Sequence, residues 1–438
     1  MASCVEELHF SHIHIPVTID QMIPVLPAGP IPAVHGSRLY LSNLDNMIGA
    51  RVFTPTVYFY KSNYMSSNRK PVTKTLCDAL SRVLVPYYHL SGRLREDSNG
   101  KLEVFFGQEQ GALLVEAHSD MGLAELGDLA VPNPTWAPLN YRFPNEEPYK
   151  VLDMPLIIAQ FLAAWAATAK TGTLVTNPEP CWDREFFQPR NPPTIKYRHP
   201  EFKRIEERSS LTMSLWKSKP VQKCYKVSQQ FQAQVKSLAQ PNDMLGCSTF
   251  DAMAAHVWRS WVKALDVKPV DYELRLTFSV NARPKLKNPP WKQGFYGNVV
   301  CVACGTSPVN NLIKGSLSET LRLVREARLS ISEEYVRSTV DYMEIDRPNR
   351  LEFGGKLSIT QWTRFSLYES ADFGWGRPSY AGPIDLTPTP QVCVFLPDGS
   401  AECSGATVVC ICLPGSATHK FTEFFVCLKD LISNDESE

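Results

Sequence analysis

The chain has 438 residues, of which 44% are apolar and nine are Trp, enough to bury a large core and to form two domains. Lys plus Arg and Asp plus Glu balance at 45 each with no basic tract, which excludes an electrostatic footprint for nucleic acid or a membrane surface and leaves small molecules as the expected partners. Residues 1–14 mix Glu6 and Glu7 with apolar side chains and lack the basic start and continuous apolar core of a signal peptide. The longest apolar-looking stretch, 155–169, is too short for a membrane span and contains Gln160, so a soluble cytoplasmic protein is expected.

In chain order, 51–60 reads as a strand. Thr54, Thr56, Tyr58 and Tyr60 share one face, polar enough to line a cavity, while Pro55, Val57 and Phe59 take the other. Residues 74–83 have helical spacing, and the run from Val85 to Leu94 leads through a break into a strand at 102–106. His89, beside Tyr87 and Tyr88, reads as a packed histidine. A Pro-rich polar stretch, 131–148, precedes a strand at 151–158.

The next step is anomalous. Residues 161–170 are Ala-rich and helical, yet the join at Ala159-Gln160 contains no Gly, Pro, Asn, Asp, Ser or Thr. A strand entering a helix normally needs a loop and an N-cap to satisfy the first amides, so a segment is expected to be missing here. After Gly172, the Pro-rich, aromatic and charged stretch 178–202 suits a surface crossover between domains.

In the second half, Ser248 caps a helix over 249–265, with Phe250, Met253, Ala254, Val257, Trp258 and Trp261 at core spacing. Strands at 274–280 and 298–303 flank a Pro- and Gly-rich loop, 317–337 reads as one long helix, and short strands fill 357–413. The twelve Cys are scattered, and Cys301 and Cys304 fall on opposite faces of a strand, so neither zinc spacing nor a disulfide framework is indicated. No internal repeat stands out, and the mixture of helices and strands indicates an α/β or α+β protein of two domains.

The string Asp372-Phe373-Gly374-Trp375-Gly376 resembles the second signature of the BAHD family of plant acyl-CoA-dependent acyltransferases. Further landmarks stand in family order: Pro86 to Arg93, Phe250 to Arg259, Asn281 to Pro284, Tyr296-Gly297-Asn298, Thr360 to Arg364, and Arg377-Pro378. The resemblance covers nearly the whole chain. It implies an α/β, two-domain acyl-CoA-dependent acyltransferase fold, with mixed sheets, flanking helices and pseudo-symmetric halves: an N-terminal domain at 1–177, a crossover at 178–215 and a C-terminal domain at 216–438. It also implies a monomer that needs no metal or redox cofactor. Acyl-CoA is then the co-substrate, and a hydroxycinnamoyl or other aromatic acyl group moves to an alcohol or amine acceptor.

In that family the proton of the attacking acceptor is taken by the His of a His-x-x-x-Asp motif, whose Asp is held by an arginine that Arg283 matches. None of the nine histidines here has an Asp four residues on. His118 with Asp120 has the wrong spacing, and His256 matches a non-catalytic position. In relatives a second strand and the His-x-x-x-Asp-Gly loop intervene where this chain passes directly from Gln160 to Phe161, so roughly two dozen residues, about a strand pair and a loop, are missing. The anomalous join and the absent motif coincide, which points to a shifted splice boundary or gene-model error. No catalytic residue is therefore assigned. Loss of a general base alone costs about a hundredfold to ten-thousandfold, and loss of strands adds impaired folding of the first half.

The resemblance gives the remaining site residues as follows. The loop Asp372, Phe373, Gly374, Trp375 and Gly376 shapes the channel, with Asp372 an anchor. Thr54, Thr56, Tyr58, Thr360 and Trp362 line the acceptor, and Arg364 matches an arginine that in some relatives holds an acceptor carboxylate. Ser279, Gly297 and Asn298 border the CoA arm. Arg283 is left without its family partner unless Asp372 or another carboxylate takes it. The alternatives are a non-catalytic homologue that binds acyl-CoA or a partner, and an unstable product of misprocessing. A serine hydrolase, a dinucleotide fold and a P-loop find no motif.

Overall fold

The computed structural model describes residues 4–10, 12–33, 36–51, 54–61, 72–107, 111–141, 159–204, 220–240, 246–287, 292–348, 354–385, 391–399 and 405–428. In chain order the first half contributes β1 (Val5–Leu8), β2 (Thr18–Val25), β3 (Arg38–Tyr40), β4 (Thr56–Phe59), α1 (Val72–Val83), β5 (Arg93–Glu96), β6 (Leu102–Phe105), β7 (Ala112–His118) and α2 (Ala159–Thr171). The second half begins with β8 (Pro220–Val227), α3 (Gln229–Ala239), α4 (Thr249–Leu265), β9 (Glu273–Asn281), β10 (Val300–Pro308), α5 (Val309–Lys314), α6 (Leu317–Ser330) and α7 (Glu333–Ile345). It ends with β11 (Lys356–Gln361), β12 (Tyr380–Pro383), β13 (Val392–Pro397), β14 (Thr407–Pro414) and α8 (Thr418–Val426). No helix among the described residues is long and apolar enough to cross a membrane.

A seven-stranded mixed sheet, ordered β1-β8-β14-β13-β11-β9-β10, organises the second half. Strand alternation divides its side chains. On β14, Val409, Ile411 and Leu413 enter the main core with Trp258 and Trp261 of α4 and Phe421 and Phe425 of α8. Val408, Cys410 and Cys412 enter a separate apolar cluster. The same alternation buries Cys301 in the main core and leaves Cys304 half-buried, in keeping with opposite faces.

Helix α4 occupies the expected span because its start is closed chemically. Ser248 Oγ accepts from Asp251 N at 3.1 Å, and the Asp251 carboxylate accepts from Ser248 N at 3.0 Å. The long helix expected over 317–337 is instead two. Ile331 is buried with extended backbone geometry, and Ser332 restarts the helix by accepting from Tyr335 N at 3.2 Å. A hydroxyl that satisfies a new N-terminal amide outweighs continuation of the apolar period.

The halves exchange strands. β1 pairs with β8 of the large sheet, and β12 from the second half pairs with β4 of the first, with Ala381 opposite Tyr58. Among the described residues the first half otherwise holds two small sheets, β2-β7 and β3-β6-β5, and the packed pair α1 and α2, where Leu80, Val83 and Leu84 share one apolar cluster with Phe161 and Ala164. The strand expected at 51–60 is short, Thr56–Phe59, and Thr54 precedes it. The strand expected at 151–158 lies outside the described residues, while α2 begins at Ala159 and runs across the Gln160–Phe161 join.

The crossover is fixed by α7. Asp341, 1% exposed, accepts from the backbone N–H of Arg190 and of Thr194 at 2.8 Å each and from Arg190 Nε at 2.6 Å. Ser338 Oγ accepts from Lys196 N at 3.0 Å.

Candidate active site

The face of the large sheet opposite its main core gathers residues from both sets of sequence candidates. β9 and β11 run parallel with Ser358 opposite Thr277 and Ile359 opposite Phe278. Leu276, Phe278, Leu357 and Ile359 enter the main core, so Thr277, Ser279, Ser358 and Thr360 point the other way. Thr277 Oγ1 and Ser358 Oγ share a hydrogen bond at 2.8 Å. Trp362, just past β11, continues this face and packs against the apolar cluster that includes Val394 and Cys410.

Strand exchange delivers the first half to the same place. Because β4 pairs with β12, Tyr58 joins Trp362, Leu367, Tyr368 and Ala381 in one cluster. Burial raises the Tyr58 phenol, offset in part by a side-chain hydrogen bond with Thr56. Thr56 and Thr54 are exposed, as is Arg364 beyond the end of β11. The structure thus brings Tyr58, Thr56 and Trp362 into one region, places Thr360 and Ser279 along the sheet beside it, and leaves Arg364 at the surface.

The Asp372 to Gly376 loop docks on α2. Phe373 meets Trp165 edge-on at 5.2 Å and stacks with Trp375 at 5.4 Å, and Trp375 meets Tyr60 at 5.3 Å. Tyr60 donates its hydroxyl to Ala371 O at 2.6 Å. Gly374 and Gly376 have φ of 97° and 87°, which a residue with a Cβ adopts only under strain. Their amides donate to Asp372 Oδ1 at 2.9 and 3.0 Å. Asp372 Oδ2 pairs with Lys170 of α2 at 2.5 Å, and the Lys170 hydrogen bond, then those backbone bonds, hold the Asp372 carboxyl below its usual range.

Asp372 is therefore engaged by Lys170. Arg283 donates through Nη2 to Gly297 O at 2.8 Å, and burial lowers its pKa while the charge of Asp45 opposes that shift. In the Tyr296–Asn298 turn, Asn298 N donates to Asp45 Oδ1 at 2.8 Å and Asn298 Nδ2 to Leu44 O at 2.7 Å. Asp45 also accepts from Arg184 Nε at 3.0 Å. Sequence reasoning singled out neither Asp45 nor Arg184. An isolated acid after Leu44 and an isolated base in the crossover carry no local pattern.

Four histidines among the described residues have partners elsewhere in the fold. His89 packs against Trp182 at 4.1 Å and Tyr296 at 4.6 Å, and burial, then the charge of Arg184, pushes its pKa well below the ordinary value. His256 lies against Phe425, His118 pairs with Asp20 at the surface, and His199 lies between Glu201 and Ser338.

A family model described as the Transferase family matches residues 15–161 and 150–426. The chain is 32% identical to omega-hydroxypalmitate O-feruloyl transferase of Arabidopsis thaliana, over 95% of its own length and 94% of the relative. The chain belongs to the BAHD acyltransferases. Another BAHD-like relative, alcohol acyl transferase 1 allele RGb of Malus domestica, is 32% identical over 90% of this chain and 92% of that protein. The fold matches vinorine synthase with a TM-score of 0.66 at 18% identity, covering 95% of this chain and 98% of that one. It also matches F. graminearum TRI101, solved with coenzyme A and T-2 mycotoxin, with a TM-score of 0.66 at 13% identity over 91% and 98% of the two chains. The two stretches matched by the family model meet at 150–161, and the alignment to the feruloyl transferase runs over 449 positions, more than the 438 residues of this BAHD chain. That relative therefore carries residues within the matched span that have no counterpart here.

Proposed function

We propose that this protein descends from an enzyme that moves a hydroxycinnamoyl or other aromatic acyl group from acyl-CoA to an alcohol or amine, and that it has lost the residue that performs proton abstraction. In the parent reaction a base removes the acceptor's proton as its oxygen or nitrogen attacks the thioester carbonyl, and CoA leaves as the thiol. The observation that carries the reading is the absence of any His-x-x-x-Asp in the sequence, together with family matches that meet at 150–161. Relatives named as a feruloyl transferase and a fatty alcohol:caffeoyl-CoA acyltransferase support an aromatic acyl donor. The Tyr58 and Trp362 cluster, largely apolar, supports a hydroxyl acceptor with an apolar body. Acyl-CoA serves as co-substrate, with no metal or redox step, in a monomeric cytoplasmic protein.

A second reading, binding without turnover, is favoured by one observation. Tyr58 and Trp362 share one cluster and the Gly297-Asn298 turn is anchored, although the sequence holds no His-x-x-x-Asp. Expression of this polypeptide beside a form carrying a relative's segment after Gln160 separates the readings. CoA release from a panel of acyl-CoAs and alcohols is expected from the restored form only, and equal rates from the two forms sink the lost-base mechanism. Acyl-CoA binding by the short form without turnover supports the second reading.

A further inference from the structure

We propose that Asp45 is a positioning residue that ties the first half of the molecule to the Tyr296–Asn298 turn and thereby sets the geometry of the CoA side of the cleft. The functional part of this proposal rests on the acyl-CoA reading above.

Asp45 is first made rigid by its own loop. Its Oδ2 accepts from Ser42 N at 3.1 Å and Ser42 Oγ at 2.7 Å, while Asp45 N lies 3.2 Å from Ser42 Oγ. The carboxylate is then shared between two distant segments. Oδ1 accepts from Asn298 N at 2.8 Å, and Oδ2 accepts from Arg184 Nε at 3.0 Å. Arg184 is 4% exposed and lies over Trp182 at 3.6 Å and Phe295 at 5.0 Å. A Cβ on Gly297 would stand 2.7 Å from Arg184 Cζ, so the turn and the guanidinium share one surface with no slack. On its other side Gly297 O receives Arg283, and Asn298 Oδ1 accepts from Val300 N at 3.0 Å, where β10 begins.

The turn is thus gripped by the 42–45 loop, by the crossover through Arg184, and by Arg283. A buried ion pair gives little net stability over apolar side chains of the same size, and its best-attested use is to fix register. That makes position, rather than stability, the quantity Asp45 controls. The segments it joins are remote in sequence, and one of them contains Gly297 and Asn298.

The test uses the full chain and free coenzyme A. Asp45→Asn keeps the shape but leaves Arg184 without its counter-charge. It is expected to weaken calorimetric CoA affinity about tenfold and to raise hydrogen exchange in the peptide covering 295–300. Asp45→Glu should recover part of both. Val324→Ala, in the main core, lowers stability without changing CoA affinity and so separates position from folding. If Asp45→Asn does not fold, Ser42→Ala is expected to shift affinity and exchange in the same direction by about threefold. Unchanged exchange, or faster exchange with unchanged CoA affinity, overturns the proposal. A wild-type chain that binds no CoA overturns the acyl-CoA reading as well, and that arm distinguishes the two failures.

Discussion

At His256 the carbonyl of Phe425 can only accept, so Nε2 must carry the proton in the 2.8 Å bond between them. Burial of the ring lowers its pKa to about 4. A histidine kept neutral in the fold binds a proton in the unfolded chain first. The stability it contributes is therefore present above the ordinary pKa near 6.5 and is lost as pH falls from there towards about 4. His89, shifted the same way by burial and Arg184, adds to the loss. For His256 alone the full effect is about 3 kcal/mol. Urea unfolding is expected to show a lower midpoint at pH 5 than at pH 7, and His256→Gln, which can still donate to Phe425 O, should reduce that difference. A different balance holds at Asp372. Lys170 is 54% exposed in its side chain, so Lys170→Ala should cost less than about 1 kcal/mol. Asp372→Ala removes the acceptor of the Gly374 and Gly376 amides as well and should cost about 1 to 3 kcal/mol. Equal losses for the two variants would mean that the ion pair, rather than the turn, is what Asp372 supplies.

Among the elements, α7 is a template for the crossover. Its Asp341 satisfies two crossover amides and one guanidinium from an almost fully buried position, so Asp341→Ala strands both amides and leaves Arg190 with Glu334 and Thr194 O as acceptors. A loss of about 3 kcal/mol is expected in urea unfolding, with faster proteolysis within 190–197. Loss of stability without added cleavage there would argue that the crossover is held by its apolar contacts instead. This element also marks the boundary of what the sequence discloses. Strand parity on β10, which sets Cys301 and Cys304 on opposite faces, was legible because alternation is local, and the Ser248 cap was legible because a hydroxyl stands directly before the apolar helical period. The break at Ser332 was missed because the apolar period carries on through Ile331, and the capping hydroxyl competes with that period over one turn. The Asp372 to Gly376 loop was recognisable as a motif, but its attachment to Lys170 was not. Nor were Arg184, Asp45 and Asn298 recognisable as a unit, since a contact between residues more than a hundred positions apart leaves no spacing to detect.

On the scale of the whole molecule, the two halves have unequal means of staying folded. One apolar cluster runs through the second half from Tyr225 to Phe425 and includes Trp258 and Trp261, both 0% exposed. The first half divides its buried side chains among smaller groups around Leu80 and Phe161, around Val104, and around Trp136. On the proposed reading it also lacks a strand pair, so its share of buried apolar surface falls while much of its ordering cost remains. The exchanged strands β1 and β12 oppose separation, because each half loses a paired strand when the other opens. They offer four registered residues each, a small area beside the main core. The first half should therefore open at lower urea than the second, and hydrogen exchange read by peptide should show α1 and α2 exchanging before α4 and β9. Restoring the segment after Gln160 is expected to raise the first midpoint, leave the second in place and recover CoA release together with it. A single transition in the short chain, with α2 and α4 equally protected, would show that the exchanged strands couple the halves more strongly than the missing surface weakens them. Loss of activity would then be a matter of the absent base alone.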